Sequence, residues 1–97
     1  MGKIAVVATM IAKPGKEDAL KQELLGLIEP SRADEGCLKY HLHQDQADPT
    51  VFVFYENWES KELLDAHLAQ PHLKAFGEKA GELLAEPFGV RILDILA

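Results

Sequence analysis

Apolar residues recur along this chain with two periods, one of two residues and one of three to four, and the switches between them mark out the elements. Residues 3 to 12 are rich in apolar and β-branched types and run into Pro14-Gly15, which predicts a strand closed by a turn. Leu20, Leu24, Leu27 and Ile28 then fall at i, i+4, i+7 and i+8. That is one stripe of an amphipathic helix with Lys21, Gln22 and Glu29 toward water. Pro30 follows Gly26 by four residues, so its ring meets a turn without a side chain, and the helix is expected to kink and continue to about residue 33.

Glu35-Gly36 reads as a turn. Cys37 to Asp45 alternates, with Leu38, Tyr40 and Leu42 against Lys39, His41 and His43, and Gln46-Ala47-Asp48-Pro49 joins it as a hairpin to Val51–Trp58. Ser60 is an N-cap for a helix with Leu63, Leu64 and Leu68 on one face, and His67 shares that face. Pro71 breaks the helix. A second helical segment from about His72 to Leu84 keeps Leu73, Phe76, Ala80, Leu83 and Leu84 in register, Pro87 stops it, and Phe88 to Leu96 is the last strand.

The order β-α-β-β-α-β is the ferredoxin-like split βαβ arrangement. It predicts one α+β domain over residues 1–97: a four-stranded antiparallel sheet with helices on one face. A sheet covered on one face alternates apolar with polar residues, but three strands here are apolar on both sides. Ile4, Val6, Ala8 and Met10 oppose Ala5, Val7 and Ile11; Val51, Val53 and Tyr55 oppose Phe52, Phe54 and Trp58; Val90 and Ile92 oppose Leu93 and Ile95. Two helical layers cannot cover both faces, so the second is expected to meet another copy of the chain, sheet on sheet about a two-fold axis, as a homodimer. Each Val, Ile or Phe so buried contributes about 1.5–3 kcal/mol, which matters in a chain this small.

Charge narrows the partners. Ten Lys and Arg stand against 16 Asp and Glu, a formal net charge of −6, and no basic cluster is available to neutralise phosphates. Nucleic acids and anionic membranes are therefore not expected partners. The single Cys37 permits no intramolecular disulfide and belongs to no Cys-based zinc pattern. Met1-Gly2-Lys3 passes directly into a short strand, unlike a signal peptide or spanning helix, and the expected location is cytoplasmic. No Gly-rich phosphate loop, dinucleotide fingerprint or Ser-centred elbow is present, so no bound cofactor is expected.

The chemistry-bearing residues gather late in the chain. Glu56 and Trp58 share a strand face with Phe52 and Phe54. If that face meets the helices, His67 points at the same space, with His72 just beyond the Pro71 break. A carboxylate, an indole N–H and imidazoles among aromatic rings can hold a flat organic molecule and move a proton. A lone Trp is ordinarily core, and a His on an apolar stripe is as often a satisfied core residue as a working one. Glu56 is harder to assign to packing, because a carboxylate on a buried face needs a partner, for which His67 or Arg91 is available. His41, His43 and Asp45 lie together on the second strand, but two-residue spacing without a fixed further ligand does not define a metal site. Cys37 has no adjacent base to activate it.

Three segments together carry a resemblance: Glu35-Gly36-Cys37 ahead of a strand, Tyr55-Glu56-Asn57-Trp58-Glu59-Ser60 at a strand end, and His67 through Phe76 across a broken helix. Glu-x-Trp, a His nine residues after the Trp, and then Pro-His resemble the antibiotic biosynthesis monooxygenase family, over nearly the whole chain in element order. The resemblance implies a dimeric α+β barrel. It also implies one of several chemistries: cofactor-free oxygenation of quinols or anthrones, haem degradation, or isomerisation of a phosphorylated metabolite.

For the oxygenases it implies Trp58 and Asn57 as positioning groups, His67 or Glu56 as base, and Tyr40 or His43 as hydrogen-bonding groups, with His72 and Phe76 also binding substrate. The haem branch fits poorly, because its axial His aligns with Gly77 and a Trp it needs aligns with His67. The reading is thus a monooxygenase that takes a small aromatic substrate and O2 without a cofactor. The alternatives are an isomerase, for which phosphate near Lys74, Lys79 or Arg91 would speak, and a non-enzymatic binding dimer, for which Glu56 and His67 would be locked in structural hydrogen bonds with no cavity beside them.

Overall fold

The computed structural model describes residues 2–97, so the reading of the chain start at Met1 lies outside the described residues. The elements are β1 (Ile4–Ile11), α1 (Glu17–Leu25), α2 (Ile28–Arg32), β2 (Cys37–Gln44), β3 (Val51–Trp58), α3 (Lys61–Leu68), α4 (Pro71–Leu83) and β4 (Gly89–Asp94). The strands form one sheet in the order β2-β3-β1-β4 with every pairing antiparallel. This is the ferredoxin-like α+β arrangement the periodicity predicts.

Helices cover one face of the sheet, the inner face. Val6, Ala8 and Met10 of β1, Phe52, Phe54 and Trp58 of β3, and Tyr40 of β2 join Leu20, Leu24, Leu64, Phe76 and Leu83 of the helices in one buried cluster. The outer face is unevenly covered: Ala5 is buried, Val7, Ile11 and Val53 are half-buried, and Tyr55 and Leu93 are exposed. β4 is exposed along its whole length. Among the described residues no helix is long and apolar enough to cross a membrane.

Local chemistry explains the ends. Ser60, in extended conformation, accepts a hydrogen bond at Oγ from the Leu63 N–H (3.2 Å) and caps α3 as expected. Pro71 does two jobs: after α3 ends it occupies the first turn of α4, where its missing N–H costs nothing. Gly36 has φ +85°, and a Cβ there would lie 2.5 Å from Leu63 Cδ1, so the turn into β2 needs glycine both for its backbone and for its approach to α3.

Two expectations change. The kinked helix is two helices, separated at Gly26-Leu27, because Pro30 has no N–H to return to the Gly26 carbonyl and the chain restarts instead. In β2 the pairing with β3 shifts between Cys37 and Lys39, a bulge that spends Leu38 without a partner. Leu38 is thus 47 % exposed rather than inward with Tyr40, and Cys37 takes the inner position opposite Trp58. Beyond the bulge Tyr40 stands opposite Glu56.

Candidate functional site

Between the inner face and helices α3 and α4 lies a cavity of about 400 Å³. Its walls are mostly apolar: Val6, Ala8 and Phe54 form the sheet side, Leu64, Leu73 and Phe76 the helix side, and Phe88, Val90 and Ile92 lie along the exposed β4 edge. Three polar side chains, Tyr40, Glu56 and His67, break that lining. An apolar pocket with few convergent polar groups is the usual form of a small-molecule site.

Glu56 reaches it by strand alternation. It is 5 % exposed, between Val6 of β1 and Tyr40 of β2. Its partner is neither His67 nor Arg91 but the indole two residues on: Trp58 Nε1 donates to Oε1 at 2.8 Å. No other hydrogen bond to its carboxylate occurs among the described residues, which leaves Oε2 for the cavity. Burial raises its pKa from 4.5 to about 6, the Trp58 hydrogen bond opposing the shift. A carboxyl so placed exchanges its proton near neutrality.

His67 packs against Trp58, with ring centroids 4.4 Å apart and the planes tilted by 35°, and meets Tyr40 edge-on at 5.5 Å. Its Nδ1 is 2.7 Å from Asp34 Oδ2 in the turn before β2. Burial lowers the His67 pKa, against the hydrogen bond and charge of Asp34, so the ring is neutral and its Nδ1–H donates to the carboxylate. His72 comes to the same oxygen, Nε2 to Oδ2 at 3.3 Å, and lies 3.4 Å from the fully buried Ser31 Oγ. Burial also raises the Tyr40 pKa, so its phenol keeps its proton and serves as a hydrogen-bonding group.

Of the residues singled out in the sequence, Glu56, His67, Tyr40 and Phe76 line the cavity, Trp58 supports two of them from below, and His72 stands behind His67. Asn57 and His43 do not join them. Both alternate onto the outer face, where Asn57 Nδ2 donates to the Glu56 carbonyl (2.8 Å) and His43 Nδ1 lies 3.2 Å from the Val53 carbonyl. His41 is on that face too, while Asp45 is taken up by the hairpin, accepting from the N–H groups of Ala47 and Asp48. Burial raises the Cys37 pKa, which keeps it a thiol and a poor nucleophile. Lys74, Lys79 and Arg91 are absent from the cavity lining, and Lys79 pairs instead with Glu23 at 3.3 Å. Sequence reasoning missed Asp34 and Ser31. Asp34-Glu35-Gly36 signals a turn and nothing more, and only the fold brings it beneath His67.

Residues 3–79 match the family described as Antibiotic biosynthesis monooxygenase. The protein sll1783 of Synechocystis is 34 % identical over 95 % of this chain, which spans 63 % of that longer relative. Rv0793 of Mycobacterium tuberculosis is 36 % identical, covering 93 % of this chain and 88 % of its own. "Probable quinol monooxygenase YgiN" of Escherichia coli is 31 % identical over 93 % and 95 % of the two chains. Among solved structures, PA3566 of Pseudomonas aeruginosa superposes with a TM-score of 0.94 at 36 % identity, over 100 % of this chain and 97 % of its own. Rv0793 superposes with a TM-score of 0.92 at 33 % identity, over 98 % and 96 %.

Proposed function

Because the chain belongs to the antibiotic biosynthesis monooxygenase family, we propose that it is a cofactor-independent monooxygenase that oxidises a small aromatic, quinol-type substrate with O2. The observation that carries the reading is the buried Glu56 carboxyl, with one oxygen held by Trp58 and a pKa of about 6, in the wall of an otherwise apolar cavity of about 400 Å³. The name of YgiN supplies the substrate class.

In this reading Glu56 is the base. A quinol lies between Phe54 and Phe76 with a hydroxyl toward Oε2, and Tyr40 hydrogen-bonds its oxygen. Glu56 takes the hydroxyl proton and leaves an electron-rich anion, and the anion's ring carbon bonds to O2. The O–O bond then breaks: one atom stays on the ring, which becomes a hydroxyquinone, and the other leaves as water with both protons lost by the substrate. One quinol and one O2 give one hydroxyquinone and one water, and the substrate supplies all the electrons. The protein need only bind, orient and accept a proton. The absence of Lys and Arg from the cavity lining favours this uncharged substrate over a phosphorylated one.

The working form in this proposal is a homodimer closed over the outer face, which carries the half-buried Val7, Ile11 and Val53 and the exposed Tyr55 and Leu93. Light scattering on a sizing column is expected to give twice the 10.7 kDa chain mass, and Val53→Asp to give the monomer.

Oxygen uptake by metal-stripped protein with a panel of quinols and anthrones tests the reaction. Uptake above autoxidation that falls at least tenfold in Glu56→Gln is expected. Wild-type uptake at the background rate across the panel removes the proposal.

A further inference from the structure

Two histidines and an aspartate converge behind the cavity, and packing alone does not require all three. Asp34 comes from the turn before β2, His67 from the last turn of α3 and His72 from the first turn of α4. Their nearest ligand atoms, one from each, all lie within 4.8 Å of one another. Among the described residues this is the one group of three or more such side chains so arranged.

The convergence depends on the helix break. Five residues along an unbroken helix turn through about 500°, which would aim His67 and His72 about 140° apart. The interruption at Ala69-Gln70 and the restart at Pro71 bring both rings to the same carboxylate oxygen, Asp34 Oδ2, at 2.7 and 3.3 Å.

We infer that Asp34, His67 and His72 form a binding site for one divalent transition-metal ion of borderline softness, Zn(II) above all. Two imidazole nitrogens and a carboxylate oxygen are a donor set Zn(II), Co(II) and Ni(II) accept, and three protein ligands leave a further position for water or a bound anion. A tetrahedral ion with bonds of about 2.0–2.1 Å sets its ligand atoms about 3.3 Å apart. The His72 to Asp34 spacing is already there. The 2.7 Å contact of His67 to Asp34 opens slightly on binding, and His72 swings in toward His67.

The side chains able to move are the accessible ones. His72 is 19 % and Asp34 11 % exposed, while His67 is 1 % exposed and clamped by Trp58 and Tyr40. A fixed inner ligand with two adjustable outer ones also gives the ion its access from solvent, on the His72 side. Binding takes the Nδ1 position that now faces Asp34, so the neutral His67 ring carries its proton on Nε2 in the bound form and the metal's charge replaces that hydrogen bond. The site adjoins the cavity through His67, which belongs to both, yet the inference does not rest on the proposed reaction.

Isothermal titration of Zn(II) into chelator-stripped protein and the visible d–d absorption of added Co(II) test it without any turnover measurement. One equivalent bound at micromolar or lower Kd is expected, with the intense bands of a low-coordinate Co(II) ion. Asp34→Asn keeps an oxygen for His67 to donate to, and His72→Ala removes a partly exposed ring, so both variants are expected to retain the wild-type circular dichroism. Each is expected to weaken binding at least tenfold, and His41→Ala with His43→Ala to leave it unchanged. No stoichiometric binding, or binding that survives the first two variants and disappears with the outer-face pair, overturns the inference.

Discussion

Phe54 and Tyr55 are neighbours on β3, yet the first is 1 % exposed and the second 38 %. The difference is that between the two faces of one sheet. On the inner face, helices from the same chain close over apolar residues, and a carboxyl and an imidazole are held there out of water. On the outer face, apolar residues are nearly as frequent, but among the described residues no helix lies over them, and they run from buried at Ala5 to exposed at Tyr55. A side chain's chemistry here depends less on its type than on which face its strand position assigns it: Glu56 faces the cavity, while Asn57, one residue on, is held by a backbone carbonyl on the other side.

The largest effect should come from the packing of the inner face. Phe54→Ala is expected to lower unfolding stability by about 3–5 kcal/mol, and Val53→Ala, next door on the half-buried outer face, by about 1 kcal/mol in the monomer. Urea unfolding of both variants in a Val7→Asp monomeric background reads the difference, and equal losses would end the comparison of the faces.

Next comes the chemistry. Glu56→Gln is expected to lower kcat for quinol oxidation about a hundredfold or more, roughly 2.7 kcal/mol of barrier, while His41→Ala on the outer face leaves kcat as it is. Trp58→Phe removes the hydrogen bond that restrains the Glu56 pKa, so the acidic limb of the rate profile should move to higher pH.

A third effect is on stability against pH. The Glu56 pKa is raised in the folded state, from 4.5 to about 6, so the folded protein binds more protons than the unfolded chain between those values. Its relative contribution is fully present below about pH 4.5 and is lost as pH rises through 6, a change of about 2 kcal/mol. Thermal melts from pH 4 to 7 should show Glu56→Gln gaining on wild type by that amount across the window. A constant gap between the two would place the carboxyl in water.

The smallest effect concerns the helix that delivers His67. Ser60→Ala removes the α3 cap and should cost about 1 kcal/mol, with faster amide exchange at Leu63 and Leu64 than at outer-face positions of β3.

Much of this was legible in the residues. Glu56, Trp58 and His67 follow from a two-residue step on a strand and an apolar stripe on a helix, periods that survive folding because the elements are regular. Tyr40 keeps the inner face that alternation with Leu42 gives it, whereas the bulge at Leu38 turns Leu38 outward and Cys37 inward, and alternation alone gives no sign of that slip. His43 and Asn57 were carried over by resemblance and lie on the outer face, since adjacency along a strand means opposite sides of a sheet. Asp34 had no periodic signal at all. It sits in a turn whose composition specifies the bend and not the direction of a carboxylate.

The order of elements, the two-sided apolarity of the sheet and the capping of α3 were determined by local propensity and hydrophobic period, which act over a few residues and can be read from them. Which groups pair was decided only by the tertiary structure. Trp58 with Glu56 depends on the way the indole turns back along β3, and Asp34 with both His67 and His72 on a helix break at Pro71 and a glycine turn against Leu63. The physical reason is range: a hydrogen bond is decided within a few tenths of an ångström, whereas the patterns of a sequence specify faces and not distances.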